Sequence, residues 1–93
     1  RPGQPHVLNN LAWLLATCPD ESLREPVLAL ELARRAARLE ASAYILDTLA
    51  ECYFVNGDYA AAVKAGRRAL ALAGGDRSHY EAQLRRFLQA VEK

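Results

Sequence analysis

Residues 43–59 read AYILDTLAECYFVNGDY, and this stretch decides the fold. Leu46, Leu49, Ala50 and Tyr53 fall at the three-and-four spacing that gathers side chains on one face of an α-helix. Asn56-Gly57-Asp58 then stops that helix and starts another. Gly57 can take the left-handed conformation that ends a helix, and Asp58 can accept from the unpaired N–H groups that begin the next one. A helix, a tight turn and a second helix are therefore expected here.

The same arrangement recurs on the N-terminal side. Leu8, Leu11, Ala12 and Leu15 repeat the first stripe: an apolar residue, two others, Leu-Ala, two others, a large residue. An alanine-rich helix follows each stripe, with Ala29, Ala33 and Ala36 in one case and Ala62, Gly66 and Ala69 in the other. Ala62 stands 33 residues after Ala29. Small residues at these spacings let a facing helix approach closely.

Toward the C-terminus, Gly74-Gly75-Asp76 repeats the stop-and-start device, and Ser42 is a plausible cap for the helix bearing Leu46. A longer connection, residues 17–25, contains Cys18-Pro19-Asp20. Pro26 suits a first helical turn, where its missing donor costs nothing, whereas Ser22 with Glu25 matches a capping box that starts the helix earlier; the sequence leaves both starts open. The expectation is an all-α chain of five helices at roughly 5–17, 25–40, 42–56, 58–73 and 76–92, each bound good to about 2–4 residues.

Composition narrows the function classes. Of 93 residues, 52% are hydrophobic and 25% charged, which is globular composition, and the formal charge is only +1. No global field steers the chain onto nucleic acid or anionic lipid. The longest apolar run, residues 11–16, falls far short of the roughly 20 residues of a membrane helix. Two cysteines, Cys18 and Cys52, are too few for a disulfide scaffold and point to a reducing, cytoplasmic setting. A chain that begins at Arg1 and holds no methionine reads as a piece of a longer protein or as one whose start was removed.

The two helices with Leu46, Leu49-Ala50, Tyr53, Gly57, Tyr59, Ala62, Ala69 and Leu70 resemble one complete tetratricopeptide repeat. In that register Leu46 stands for the usual tryptophan, Gly66 for a common large aromatic, and Gly74 for the closing proline. The first pair, with Leu8, Leu11-Ala12, Leu15, Ala29 and Ala36, is a similar hairpin with about five extra residues in its inner turn. Tyr80, Leu84 and Phe87 continue the register as a closing helix. The resemblance implies one domain over residues 1–93, a right-handed solenoid with repeat one at about 6–41, repeat two at about 42–75 and a capping helix at about 76–92.

It also implies a concave groove that receives a peptide or partner protein. Asn9, Trp13 and Thr17, then Tyr44, Asp47, Thr48 and Glu51, then Ser78, Glu81 and Arg85 flank the buried stripes and are expected to line it. One subset of the family grips a terminal carboxylate with cations, but here Asp47 and Glu51 lie one turn apart and only Arg85 is positive. A preference for neutral or basic segments is expected instead. Trp13 reads equally as a partner anchor or as a packing residue.

Val7, Trp13 and Leu14 make the first helix apolar on nearly every side, so it is expected to pair with a second copy or with neighbouring repeats in a longer protein. The last helix, with Gln83, Arg85, Arg86 and Gln89, reads as a water-facing end. Arg34, Arg35, Arg38, Lys64, Arg67 and Arg68 lack interleaved aromatics and read as a solvated convex face rather than a nucleic-acid site. His6 and His79 have no nearby ligand partners in sequence, so no metal is expected. No nucleophile with an adjacent base and no phosphate loop is found, so no catalytic residue and no cofactor is expected. The function expected is a non-enzymatic interaction module; the alternative is an accessory segment of a larger enzyme, such as a kinase or glycosyltransferase.

Overall fold

The computed structural model describes residues 4–92. Five helices follow in order: α1 (Pro5–Thr17), α2 (Pro26–Leu39), α3 (Ala43–Val55), α4 (Tyr59–Leu72) and α5 (Ser78–Val91), with a single 3-10 turn at Glu21–Leu23 before α2. Among the described residues there is no strand, and no helix is long and apolar enough to cross a membrane.

Local chemistry sets the boundaries. Gly57 has φ 82° and Gly75 φ 64°, the left-handed geometry that lets the chain turn out of α3 and out of the α4 connection without a Cβ clash. Asp58 caps α4 by accepting from Ala61 N at 3.2 Å. Asp76 does not cap α5 directly. Its Oδ1 accepts from Ser78 N at 2.9 Å, so the helix begins two residues later than its position suggested. That N–H holds the Asp76 carboxyl below its usual range.

The start of α2 falls at Pro26, and Ser22 with Glu25 forms no capping box. Ser22 instead gives its N–H and hydroxyl to Asp20 Oδ1, at 3.0 and 2.7 Å, which builds the 3-10 turn. The extra residues are folded back on α1: Glu25 N donates to Leu15 O at 2.9 Å, and Arg24 Nε to Cys18 O at 2.6 Å. Ser42 occupies the cap position of α3 but makes no capping bond, and its buried Oγ has no partner among the described residues.

Helices α1 and α2 pack as one antiparallel hairpin and α3 and α4 as a second; α2 also lies on α3, α4 on α5, and α1 beside α3. Alanines make these approaches close: Ala12, Ala29, Ala33 and Ala36 in the first hairpin, and Ala50, Ala62, Ala65 and Ala69 in the second, are all buried. Gly66 extends this logic to α5. A Cβ there would stand 3.3 Å from the ring of Phe87, which is fully buried and tilted against Phe54 at a centroid distance of 5.2 Å.

At the C-terminal end of α3, Asn56 Nδ2 donates to Pro26 O at 2.8 Å, tying it to the start of α2. Ile45, Leu49 and Cys52 precede Asn56 on the same helical face and are all buried. Their counterparts 38 residues earlier, Val7, Leu11 and Leu14, are exposed on α1. The sequence grouped Trp13 with Val7 and Leu14. In the fold Trp13 stands apart from them, on the side of α1 that meets Tyr44 and Asp47.

Candidate functional site

Helices α1 and α3 and the first turn of α5 enclose an open cavity of about 410 Å³, lined by Asn9, Asn10, Trp13, Tyr44, Asp47, Thr48 and His79. Its walls are aromatic. Trp13 and Tyr44 are both partly exposed there, and His6 stacks parallel to Tyr44 at a centroid distance of 5.6 Å, extending that wall toward the start of α1. Below them the surface is polar and spoken for, with one exception.

Thr48 is buried and gives its hydroxyl to Tyr44 O at 3.2 Å. Asp47 is buried, with Oδ2 accepting from His79 Nε2 at 2.9 Å and Oδ1 from Gln83 Nε2 at 3.4 Å. The exception is Asn9. It is 5% exposed, yet its Oδ1 has no hydrogen-bond partner among the described residues. A buried amide oxygen left unbonded costs on the order of 1–3 kcal/mol, and among the described residues Asn9 is the one residue of the cavity lining that carries such an atom.

The structure moves several residues expected in the groove. Asp47 and Glu51 were expected as open acidic groups; both are nine-tenths buried and bound to α5. Arg86 Nη2 grips Glu51 in a forked pair, at 2.6 Å to Oε1 and 2.7 Å to Oε2, while Gln83 adds a bond to Oε1 at 3.3 Å. Arg86 also holds Gln83 Oε1 and lies over the Phe54 ring, 4.6 Å from its centroid. Burying an ion requires such multiple satisfaction, and α5 supplies it.

Ser78, Glu81 and Arg85 are exposed but do not line the cavity; His79 is the α5 residue that does. Thr17 is half-buried, its hydroxyl spent on Trp13 O at 2.7 Å. Gln83 and Arg86, read from sequence as water-facing, and His79, read as partnerless, are the three residues that hold the α3 carboxylates. A signal for them existed. They stand 34 residues after Leu49, Cys52 and Ile45, positions that are apolar on α3, so polar residues there pointed to polar partners.

The remaining titratable groups sit elsewhere. Burial, reinforced by the neighbouring Glu51 charge, pushes the Cys52 thiol up to about 12, so it stays protonated and inert at neutral pH. Arg34, Arg35, Arg38, Lys64, Arg67 and Arg68 are all exposed on α2 and α4, and Arg34 spans the helices by donating to Tyr53 OH at 3.3 Å. Among the described residues no three His, Cys, Asp or Glu side chains converge as a metal set. Compared with known proteins, the chain matches no protein-family model, no curated sequence and no solved structure.

Proposed function

We propose that the chain is a non-enzymatic interaction module of the tetratricopeptide kind, two helical hairpins and a closing helix, whose cavity takes an extended, electrically neutral segment of a partner protein. The observation that carries this reading is the open cavity walled by Trp13 and Tyr44, with the side chain of Asn9 in its lining. An amide can pair with the backbone of an extended chain, and the aromatic walls suit an apolar or aromatic side chain of that segment.

Charge narrows the ligand further. Asp47 and Glu51, the grounds in the sequence for expecting basic segments, are taken up by His79, Gln83 and Arg86. With its carboxylates sealed, the cavity favours a neutral segment over a basic one. A binding role rather than a chemical one fits the same fact, because the acids beside the cavity are committed to holding α5.

Trp13 is the only tryptophan in the chain and reports directly on the cavity. Its emission is followed while three peptides of equal length are added: one neutral with a central aromatic residue, one basic and one acidic. The neutral peptide binds most tightly, and Asn9→Ala weakens it about tenfold, the size of one lost hydrogen bond of roughly 1–1.5 kcal/mol. Tighter binding of either charged peptide, or an Asn9→Ala protein that binds as the parent does, refutes the reading.

A further inference from the structure

Six of the 12 Lys and Arg residues stand on α2 and α4: Arg34, Arg35 and Arg38, and Lys64, Arg67 and Arg68. Within these two helices the only carboxylate is Glu31. Among the described residues the ion pairs are His6–Glu40, His79–Asp47 and Arg86–Glu51, and none of the six cations enters one. Their placement works against the helices that carry them. Arg34 and Arg38, and again Lys64 and Arg68, are like charges four residues apart, which meet on one face and weaken a helix. On α4 none of the three stands in the last turn, where the helix dipole would favour it. An anion laid against these faces relieves the repulsion.

The surface between them is shaped to receive one. Ala61, Lys64, Ala65 and Arg68 of α4 join Leu49 and Tyr53 of α3 around a hollow of about 310 Å³. Leu49 and Ala65 are buried and make its floor, while Lys64 and Arg68 are exposed at its rim. Arg34 reaches in from α2 and gives its Nε–H to Tyr53 Oη at 3.3 Å. That bond positions the guanidinium and leaves its Nη groups, with the Tyr53 hydroxyl proton, for a further acceptor. Glu31 does not line the hollow, and the cavity at Trp13 shares no lining residue with it.

We propose that this hollow docks an acidic segment of a partner protein, its carboxylates on Arg34, Lys64 and Arg68 and an apolar side chain between them on the floor of Leu49 and Ala65. Complementary charge supplies the orientation and the apolar floor a contact that only a side chain can fill. A nucleic acid fits less well. Tyr53 is the one aromatic residue of the lining, and the Arg34 guanidinium already lies over its ring, 5.4 Å from the centroid, on a face where a base would stack. This docking site and the neutral cavity at Trp13 are separate, and either can fail without the other.

The anisotropy of a dye-labelled acidic peptide with a central leucine, titrated with the protein at low salt, tests the docking. The peptide binds, and Trp13 emission does not move when the unlabelled form is added. Arg68→Glu and Lys64→Glu each weaken binding about tenfold or more, the scale of a lost charge-assisted contact, with helix content by circular dichroism unchanged because both positions are exposed. Arg85→Glu makes the same change in net charge at an exposed site on α5 and leaves the affinity within about twofold of the parent's, because an exposed charge away from the contact contributes little. Serine in place of the peptide's leucine weakens binding about tenfold, the worth of one buried apolar side chain. A single-stranded oligonucleotide of equal charge binds more weakly than the peptide. Absence of binding up to millimolar protein, an Arg68→Glu protein that binds as the parent does, or an Arg85→Glu protein that loses as much as Arg68→Glu overturns the proposal. So does a serine peptide that binds as the leucine one does, tighter binding of the oligonucleotide, or a shift in Trp13 emission, which would put the peptide in the other cavity.

Discussion

Helices α1 and α3 carry the same apolar stripe and meet different fates. Leu8, Leu11, Ala12 and Leu15 on α1 match Leu46, Leu49, Ala50 and Tyr53 on α3 position for position. Yet on α3 every residue from 45 to 52 is buried, whereas α1 buries only Asn9, Ala12 and Ala16. The stripe sets which face packs on the partner of the hairpin, and the rest of the helix is decided by its other neighbours. Helix α3 packs on α1, α2 and α4 and has its carboxylates bonded by α5; α1 packs chiefly on α2 and α3. Polar groups follow the same rule. Asp47 and Glu51 on α3 became structural because α5 satisfies them, and Asn9, at the place on α1 that Asp47 holds on α3, was left unbonded at the edge of the cavity.

Truncation at matched positions gives the largest contrast. Ile45→Ala empties a fully buried site and costs about 2–5 kcal/mol, the range for large-to-small core changes. Val7→Ala, its α1 counterpart, shifts stability by less than about 0.5 kcal/mol at concentrations where the chain is single. Urea unfolding of both variants checks this, and equal costs would dissolve the distinction between the two helices. Next in size is Arg86→Ala. It strands Glu51 in a buried site, at a cost of about 1–3 kcal/mol for an unsatisfied buried group. Adding Glu51→Gln restores part of that loss if the pairing is real, so the double variant is more stable than the two single costs predict.

Alkaline pH separates the two cysteines with a smaller effect. The thiol of Cys52 is raised from 9.0 to about 12 in the folded chain. Between those values the unfolded chain has lost the proton and the folded chain keeps it. The contribution is therefore fully present below about pH 9 and is lost as pH rises toward 12. The stability of Cys52→Ala falls less steeply over that window than the parent's. In the native protein iodoacetamide labels half-buried Cys18 before buried Cys52; labelling at equal rates would contradict the complete burial of Cys52.

The helices were legible because their signals are local. The stripes, Gly57, Asp58 and Pro26 each act within one turn, and the five expected spans differ from the observed ones by no more than two residues at either end. The cavity was half legible. Asn9, Trp13, Tyr44, Asp47 and Thr48 follow from which side of a leading helix remains once the stripe is packed, and all five line it. What α5 contributes was not, because the rotation of a closing helix is set by partners distant in sequence. The sequence reading put Ser78, Glu81 and Arg85 toward the groove. The helix instead sets His79, Gln83 and Arg86 against α3, where they bond the two buried carboxylates while His79 and Arg86 stay exposed.

The smallest effect is expected where the two trailing helices are compared. Ala33 on α2 and Gly66 on α4 stand 33 residues apart at the same place in their hairpins, and both are buried. The position accepts a methyl on α2, so the question is why α4 lacks one. Phe87 gives the answer: a Cβ at Gly66 meets its ring at 3.3 Å and the Leu84 methyl at 3.5 Å. Gly66→Ala gains about 1 kcal/mol of helix propensity. Against this the Phe87 ring, wedged beside Phe54, must give by a few tenths of an ångström in a close-packed site. The two terms nearly cancel, and the measured change stays within about 0.5–1 kcal/mol of zero. Its sign then reads how firmly α5 is held. A clear gain means that Phe87 yields and the closing helix is loosely seated. A loss means that the Glu51–Arg86 pair on one side and Phe54 on the other fix it in place, and the variant then lowers the cooperativity of unfolding at α5 before it affects either hairpin.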